Sequence, residues 1–157
     1  MSESGSKPSI RMSDEELWEF VREAHTAILT TLRSDGTPIA LPTWFALTAE
    51  GIYMRTRGAK LGRIERNPVS SFLVEDGKRW AELRAVHFTG RCEIVQPSDE
   101  LQHAFDVEMK RKYGAFRTAQ RDMPEATRKA YSGVMVMVKF TPEGKIINWN
   151  NNHLGAE

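Results

Sequence analysis

A single cysteine, Cys92, occurs in the chain, so no intramolecular disulfide can form and a cysteine-built zinc cluster is excluded. No apolar run approaches the roughly 18 residues that a membrane-spanning helix needs. The opening residues, MSESGSKPS, lack the apolar core of a secretory signal. Neither sign of charge is in excess. Lys and Arg number 22 against 21 Asp and Glu, a formal charge of +1 that argues against a nucleic-acid binder working through bulk charge. A Walker loop, a dinucleotide glycine fingerprint, a nucleophile elbow and a zinc-protease helix are also missing. His25, His87, His103 and His153 are scattered without metal-ligand spacing. An enzymatic role therefore requires a bound cofactor for the difficult step. The expectation is a cytoplasmic protein with neither nucleic-acid nor membrane partner, its 157 residues forming one domain with a core of its own.

Residues 1–12 are rich in Ser, Gly and Pro and read as a flexible N-terminal tail, leaving 13–157 as the single domain. Ser13 and Glu16 have the spacing of a capping box. Leu17, Phe20, Val21 and Ala24 then form the apolar stripe of a short helix ending near His25. From residue 27 the period changes to that of strands: 27–32, 38–47, 52–57, 69–75, 81–95, 134–141 and 145–149. Asp35-Gly36, Glu50-Gly51, Asp76-Gly77 and Pro142-Glu143-Gly144 supply turns between them. Connections this short imply antiparallel pairing, and many short strands in one small domain close into a barrel or sandwich. In 81–95 the apolar parity switches from Leu83 and Ala85 to Val86, Phe88, Cys92 and Ile94, which requires a bend near 85–86. Gly90 allows a second close approach there. Short helices fit 60–66, 98–113 and 124–131.

The stretch Arg55-Thr56-Arg57-Gly58-Ala59-Lys60-Leu61-Gly62-Arg63 is the most informative. Arg55 and Arg57 are two apart on a strand and share a face. Lys60 and Arg63 are three apart on the following helix and share another. Four cations can thus converge where free helix amides already favour an anion, the setting of a phosphate site. The competing reading is a solvated basic face. A second signal is Pro42-Thr43-Trp44-Phe45, where a proline marks an edge or bulge beside a hydroxyl and a large aromatic. This suits the wall of a flat-ligand pocket, and equally a core strand with Trp44 as filler. His87 falls on the polar parity and reads as an exposed strand histidine; Cys92 reads as a buried thiol. Lys110, Arg111, Lys112, Arg117 and Arg121 form a second basic region, read as a solvated helix face that the charged tail of a ligand could also use.

The ordered set of these segments resembles the pyridoxamine 5′-phosphate oxidase-like superfamily, most closely its flavin- and deazaflavin-dependent branch. The carriers are Ala27–Leu32 with Asp35-Gly36-Thr37-Pro38, Pro42–Phe45, Met54–Lys60 with Ile64–Pro68, Val86–Val95 and Lys145–Trp149. The resemblance implies a mainly β, α+β fold: an antiparallel split β-barrel with short flanking helices. It implies a homodimer with two cofactor sites at the subunit interface, a small-molecule substrate, and hydride transfer to or from a planar ring. By the same resemblance Arg55, Arg57 and Lys60 would hold the cofactor phosphate with Arg63 nearby. Thr43, Trp44 and Thr56 would line the ring pocket, and Trp149 would approach from the partner. Gly58-Ala59-Lys60 stands where true pyridoxamine phosphate oxidases have Ser-Arg-Lys, which favours coenzyme F420, with FMN second. A haem-binding split barrel, using an axial ligand such as His87 or His25, and a non-enzymatic anion-binding module would be compatible with the same chain. No catalytic proton donor and no metal ligand is nominated.

Overall fold

In a computed structural model of the chain the described residues are 9–155. Helix α1 (Asp14–Glu23) opens the domain, with the Ser13 hydroxyl accepting from the Glu16 amide at 3.2 Å. The Glu16 carboxylate, expected to close the capping box, takes a hydrogen bond from Asn150 Nδ2 at 2.7 Å and contacts His153 Nε2 at 2.9 Å. Residues 9–12 are tied down rather than loose. The Asn150 amide donates to the Ile10 carbonyl, the Met12 amide donates to Asn148 Oδ1 at 2.8 Å, and the Met12 side chain is buried. The rest of the expected tail, residues 1–8, lies outside the described residues.

Among the described residues eight strands follow: β1 (Ala27–Leu32), β2 (Pro38–Thr43), β3 (Ala46–Thr48), β4 (Gly51–Thr56), β5 (Val69–Asp76), β6 (Arg84–Ile94), β7 (Val136–Pro142) and β8 (Ile147–Asn150). All pairings are antiparallel, in the order β2-β1-β5-β6-β7-β4-β3, with β8 paired to β6 off this path. The two edge strands, β2 and β3, are consecutive in the chain, so a two-residue link, Trp44-Phe45, joins the edges of the curled sheet without ladder bonds between them. This is a split barrel. The expected single strand 38–47 is two strands because the link breaks the ladder, and Pro42, which has no amide to donate, sits on the edge strand β2.

β6 is long because it serves both parts of the sheet. Its first half pairs with β8 and its last residues with β7. Consecutive burial of Ala85 and Val86 marks the expected change of face. A Cβ at Gly90 would lie 2.1 Å from the Thr141 carbonyl oxygen, so only glycine allows β7 to approach so closely. Ile94, expected inside, is exposed at the strand end.

Inside the barrel Phe45, Phe72, Phe88 and Phe140 pack with Leu29, Met54, Val86 and Val138. Phe72 stacks on Phe140 at 5.4 Å, and Phe45 meets Phe72 edge-on at 5.0 Å. A second cluster on the outer face holds Ala46, Tyr53, Leu101, Phe105, Met109 and Tyr113 beneath α3 (Asp99–Tyr113). Ile52, Tyr53 and Met54 are therefore buried in succession, because β4 has the barrel on one face and α3 on the other. The remaining helices are α2 (Ala59–Arg66) and α4 (Glu125–Ala130). Among the described residues no helix is long and apolar enough to cross a membrane.

Candidate functional site

The alternation of β4 sends Tyr53 and Arg55 to the α3 side and Met54 and Thr56 inward. Arg55 Nη2 lies 3.3 Å from Asp106 of α3, and its guanidinium rests 5.1 Å from the centre of the Phe105 ring. Arg57 follows on the same side, its guanidinium 4.4 Å from the Tyr131 ring, and its Nη1 is buried with no hydrogen-bond partner among the described residues. Gly58 takes φ +63°, a backbone region that favours glycine, and turns the chain into α2 with no side chain capping the helix. The first-turn amides of α2 therefore have no side-chain acceptor.

Lys60 and Arg63 leave α2 toward the same space, while Ile64 packs into the core. Arg63 Nε donates to the buried Thr31 hydroxyl at 2.8 Å, which ties this guanidinium to β1 at the groove. Lys60 is half-buried and has no carboxylate partner among the described residues. Desolvation, joined by the neighbouring Arg63 charge, holds its ammonium below the usual lysine pKa.

These residues line one open groove of about 720 Å³ between β2, the end of β4, α2 and α3. Thr43, Trp44, Arg55, Thr56, Arg57, Lys60 and Arg63 all border it, so seven of the eight sequence-expected residues are brought together. Trp149 does not line the groove of its own chain. It lies on β8 opposite Ala85, on the half of β6 away from β7. Among the described residues five cations, counting Arg117, face the groove and no carboxylate lines it. The other large cleft, about 590 Å³ beside α1, has the opposite character, with Glu16, Glu19, Glu23, Glu75 and Asp76 along it. An anion is drawn to the first and repelled by the second.

A sequence model of the pyridoxamine 5′-phosphate oxidase family matches residues 13–142. The chain belongs to this family. Among solved structures it is similar to the conserved protein Rv2991 of Mycobacterium tuberculosis, with 28% identity, a TM-score of 0.76, and 96% of this chain and 92% of that one covered. It is similar in fold to a FAD-binding protein of Mesorhizobium loti (19% identity, TM-score 0.63, 87% and 94% covered). The haem storage protein HutZ of Vibrio cholerae shares the fold at 18% identity and a TM-score of 0.63, with 85% and 92% covered. No curated protein matches.

In this pyridoxamine 5′-phosphate oxidase family member the second basic region is exposed as expected at Lys110, Arg111, Arg117 and Arg121, and Lys112 departs from it. Arg111 is held by Glu108 at 2.9 Å and Glu23 at 3.1 Å. Lys112 turns inward and donates to the Phe45 carbonyl at 3.0 Å, and burial brings its pKa down to about 8. Only Arg117 of that region reaches the groove. Tyr131, Met135, Phe105 and Met109 complete the walls and carry no distinctive sequence signal, because their local patterns are those of any helix or strand end. His87 is half-buried rather than exposed, between Leu73 of β5 and Ile147 of β8, with Nδ1 buried and without a hydrogen-bond partner among the described residues. The β8 neighbour that covers it is remote in sequence. Cys92 is buried as expected, and burial raises its thiol pKa.

Proposed function

We propose that the groove binds a phosphorylated flavin-type cofactor, coenzyme F420 first and FMN second, and that the protein is an oxidoreductase exchanging hydride with a small organic acceptor. One observation carries this reading: among the described residues, five cations face a single groove without a carboxylate, one guanidinium nitrogen there is buried without a hydrogen-bond partner, and a half-buried lysine has no carboxylate partner. Leaving such groups without an anion is costly, and a phosphate satisfies them together. The residues fit the group.

Arg57, Lys60 and Arg63 with the open first turn of α2 bind the phosphate. Arg55 is shared with Asp106, so it contributes charge rather than a free fork. Trp44 and Thr43 border the planar ring, and the edge strand around Pro42 leaves the wall open to it. Arg117 adds a cation beyond what a single phosphate needs, which favours a cofactor with further anionic groups, as in the carboxylate-bearing tail of coenzyme F420. When bound, the ring supplies the atom that carries hydride; the protein holds acceptor and ring in register.

Among the described residues no histidine or cysteine lines the groove, so the axial ligand that a haem reading calls on does not come from it. The open side of the groove is flanked by exposed Leu41, Tyr131 and Met135, which supports closure by a second copy of the chain, bringing Trp149 of that copy toward the ring. Fluorescence titration of the full chain with coenzyme F420 and with FMN tests the assignment. Saturable micromolar binding, tighter for coenzyme F420, is expected. Binding of pyrophosphate but of neither ring would leave an anion-binding module and overturn it.

A further inference from the structure

The link that joins the two edges of the sheet is also the wall of the groove. At Trp44-Phe45 the ladder stops, and the Phe45 backbone is left without a strand partner in a residue that is fully buried. Unpaired buried amides and carbonyls are strongly unfavourable. Here the last turn of α3 takes the place of the missing strand. The Phe45 amide donates to the Tyr113 hydroxyl at 3.1 Å, and that hydroxyl's own proton goes to the His25 carbonyl at 2.8 Å. The Phe45 carbonyl accepts from Lys112 Nζ at 3.0 Å. The ammonium also sits 3.6 Å from the centre of the Phe45 ring.

The same tyrosine holds the wall itself. The Trp44 and Tyr113 rings are parallel within 7° with centroids 4.3 Å apart, and His25 packs edge-on against both, at 5.9 Å and 5.2 Å. Tyr113 is fully buried while Trp44 is only half-buried and borders the groove. One side chain thus holds the Phe45 backbone within the break and stacks on the indole that the groove presents.

We propose that Tyr113 and Lys112 are positioning residues of the groove: by hydrogen-bonding the Phe45 backbone they set the orientation of the Trp44 ring and hence the fit of a planar ligand. This rests on the groove being a ring-binding site. Neither residue lines the groove, so neither is a ligand contact. The anion end is built separately, on β4 and α2, and does not depend on them.

The test uses the full chain carrying Tyr113→Phe, Lys112→Met or Lys112→Arg, each checked as folded by far-ultraviolet circular dichroism. Tyr113→Phe keeps the stacked ring and removes the hydroxyl. FMN affinity is expected to fall about tenfold, pyrophosphate affinity to stay within about twofold, and the near-ultraviolet tryptophan bands to change. Lys112→Met follows the same pattern and Lys112→Arg, which keeps a donor, restores most of the affinity. Unchanged FMN binding overturns the proposal, and so does a parallel loss of FMN and pyrophosphate, which would mark a general loosening. Should the parent chain bind no ring ligand, the proposed function falls by itself. The near-ultraviolet bands then decide the positioning role, and unchanged bands in Tyr113→Phe refute it.

Discussion

Replacing Lys60 by methionine is expected to move stability and binding in opposite directions. In the free protein the Lys60 ammonium is half-buried beside Arg63 without a carboxylate, and its lowered pKa says that the charged form is disfavoured there. Methionine keeps the aliphatic stem and removes the charge. Because the amine is still partly solvated, the relief is on the order of 0.5–1 kcal/mol after screening. For a chain of this size that raises Tm by roughly 1–4 °C. The sign agrees with linkage: the folded lysine holds its proton less tightly than the unfolded one, so its unfavourable contribution fades as pH rises. Binding goes the other way. A charged hydrogen bond to phosphate contributes about 1.5–3 kcal/mol, so Kd for FMN or coenzyme F420 should rise roughly 10- to 150-fold. Differential scanning fluorimetry without ligand, followed by isothermal titration, reads both. A drop in Tm with unchanged Kd would show Lys60 to be an ordinary solvated lysine and refute the reasoning.

Three further outcomes are expected. Gly90→Ala forces β7 away from a Cβ that would sit 2.1 Å from a carbonyl oxygen, and should cost about 3 kcal/mol, a Tm loss of roughly 6–12 °C in thermal unfolding. Stability should rise from about pH 8 toward pH 10, because folded Lys112 releases its proton near 8 while the unfolded chain still holds it. It should fall above pH 10, where buried Tyr113, with its pKa pushed up to about 12, keeps a proton the unfolded chain has lost. Urea midpoints across that range check this, and Lys112→Met should flatten the rising limb. Trp44→Ala should weaken FMN at least tenfold and leave pyrophosphate binding unchanged, measured by competition titration; equal losses would mean that the indole only supports the fold.

Much of the site is legible in the sequence because its parts are close together along the chain. Arg55, Arg57, Lys60 and Arg63 span nine residues, and strand parity followed by helix spacing is enough to aim them at one place. The strand ends at Asp35-Gly36 and Pro142-Glu143-Gly144 are legible for the same reason, since these are local turn chemistry, whereas the strand expected from 81 starts at Arg84, after a 3-10 turn over Trp80–Glu82. The break at Trp44-Phe45 is not. An apolar run through 41–47 reads as one strand until a tyrosine 68 residues away supplies the hydrogen bond that lets the ladder stop. Lys112 is hidden likewise: in a Lys-Arg-Lys run the pattern points to water, and only packing of α3 on β3 turns the last member onto a backbone carbonyl.

The order of short strands, their antiparallel pairing and a cationic strand-to-helix junction follow from the sequence by itself, because backbone sterics and side-chain period act over a few residues. Which edges meet, what covers Tyr53 and His87, which tryptophan faces the groove and which lysine leaves the solvent were decided by the closed sheet and the helix laid over it. Those choices depend on burial and on hydrogen bonds between residues tens of positions apart, and no local pattern encodes them.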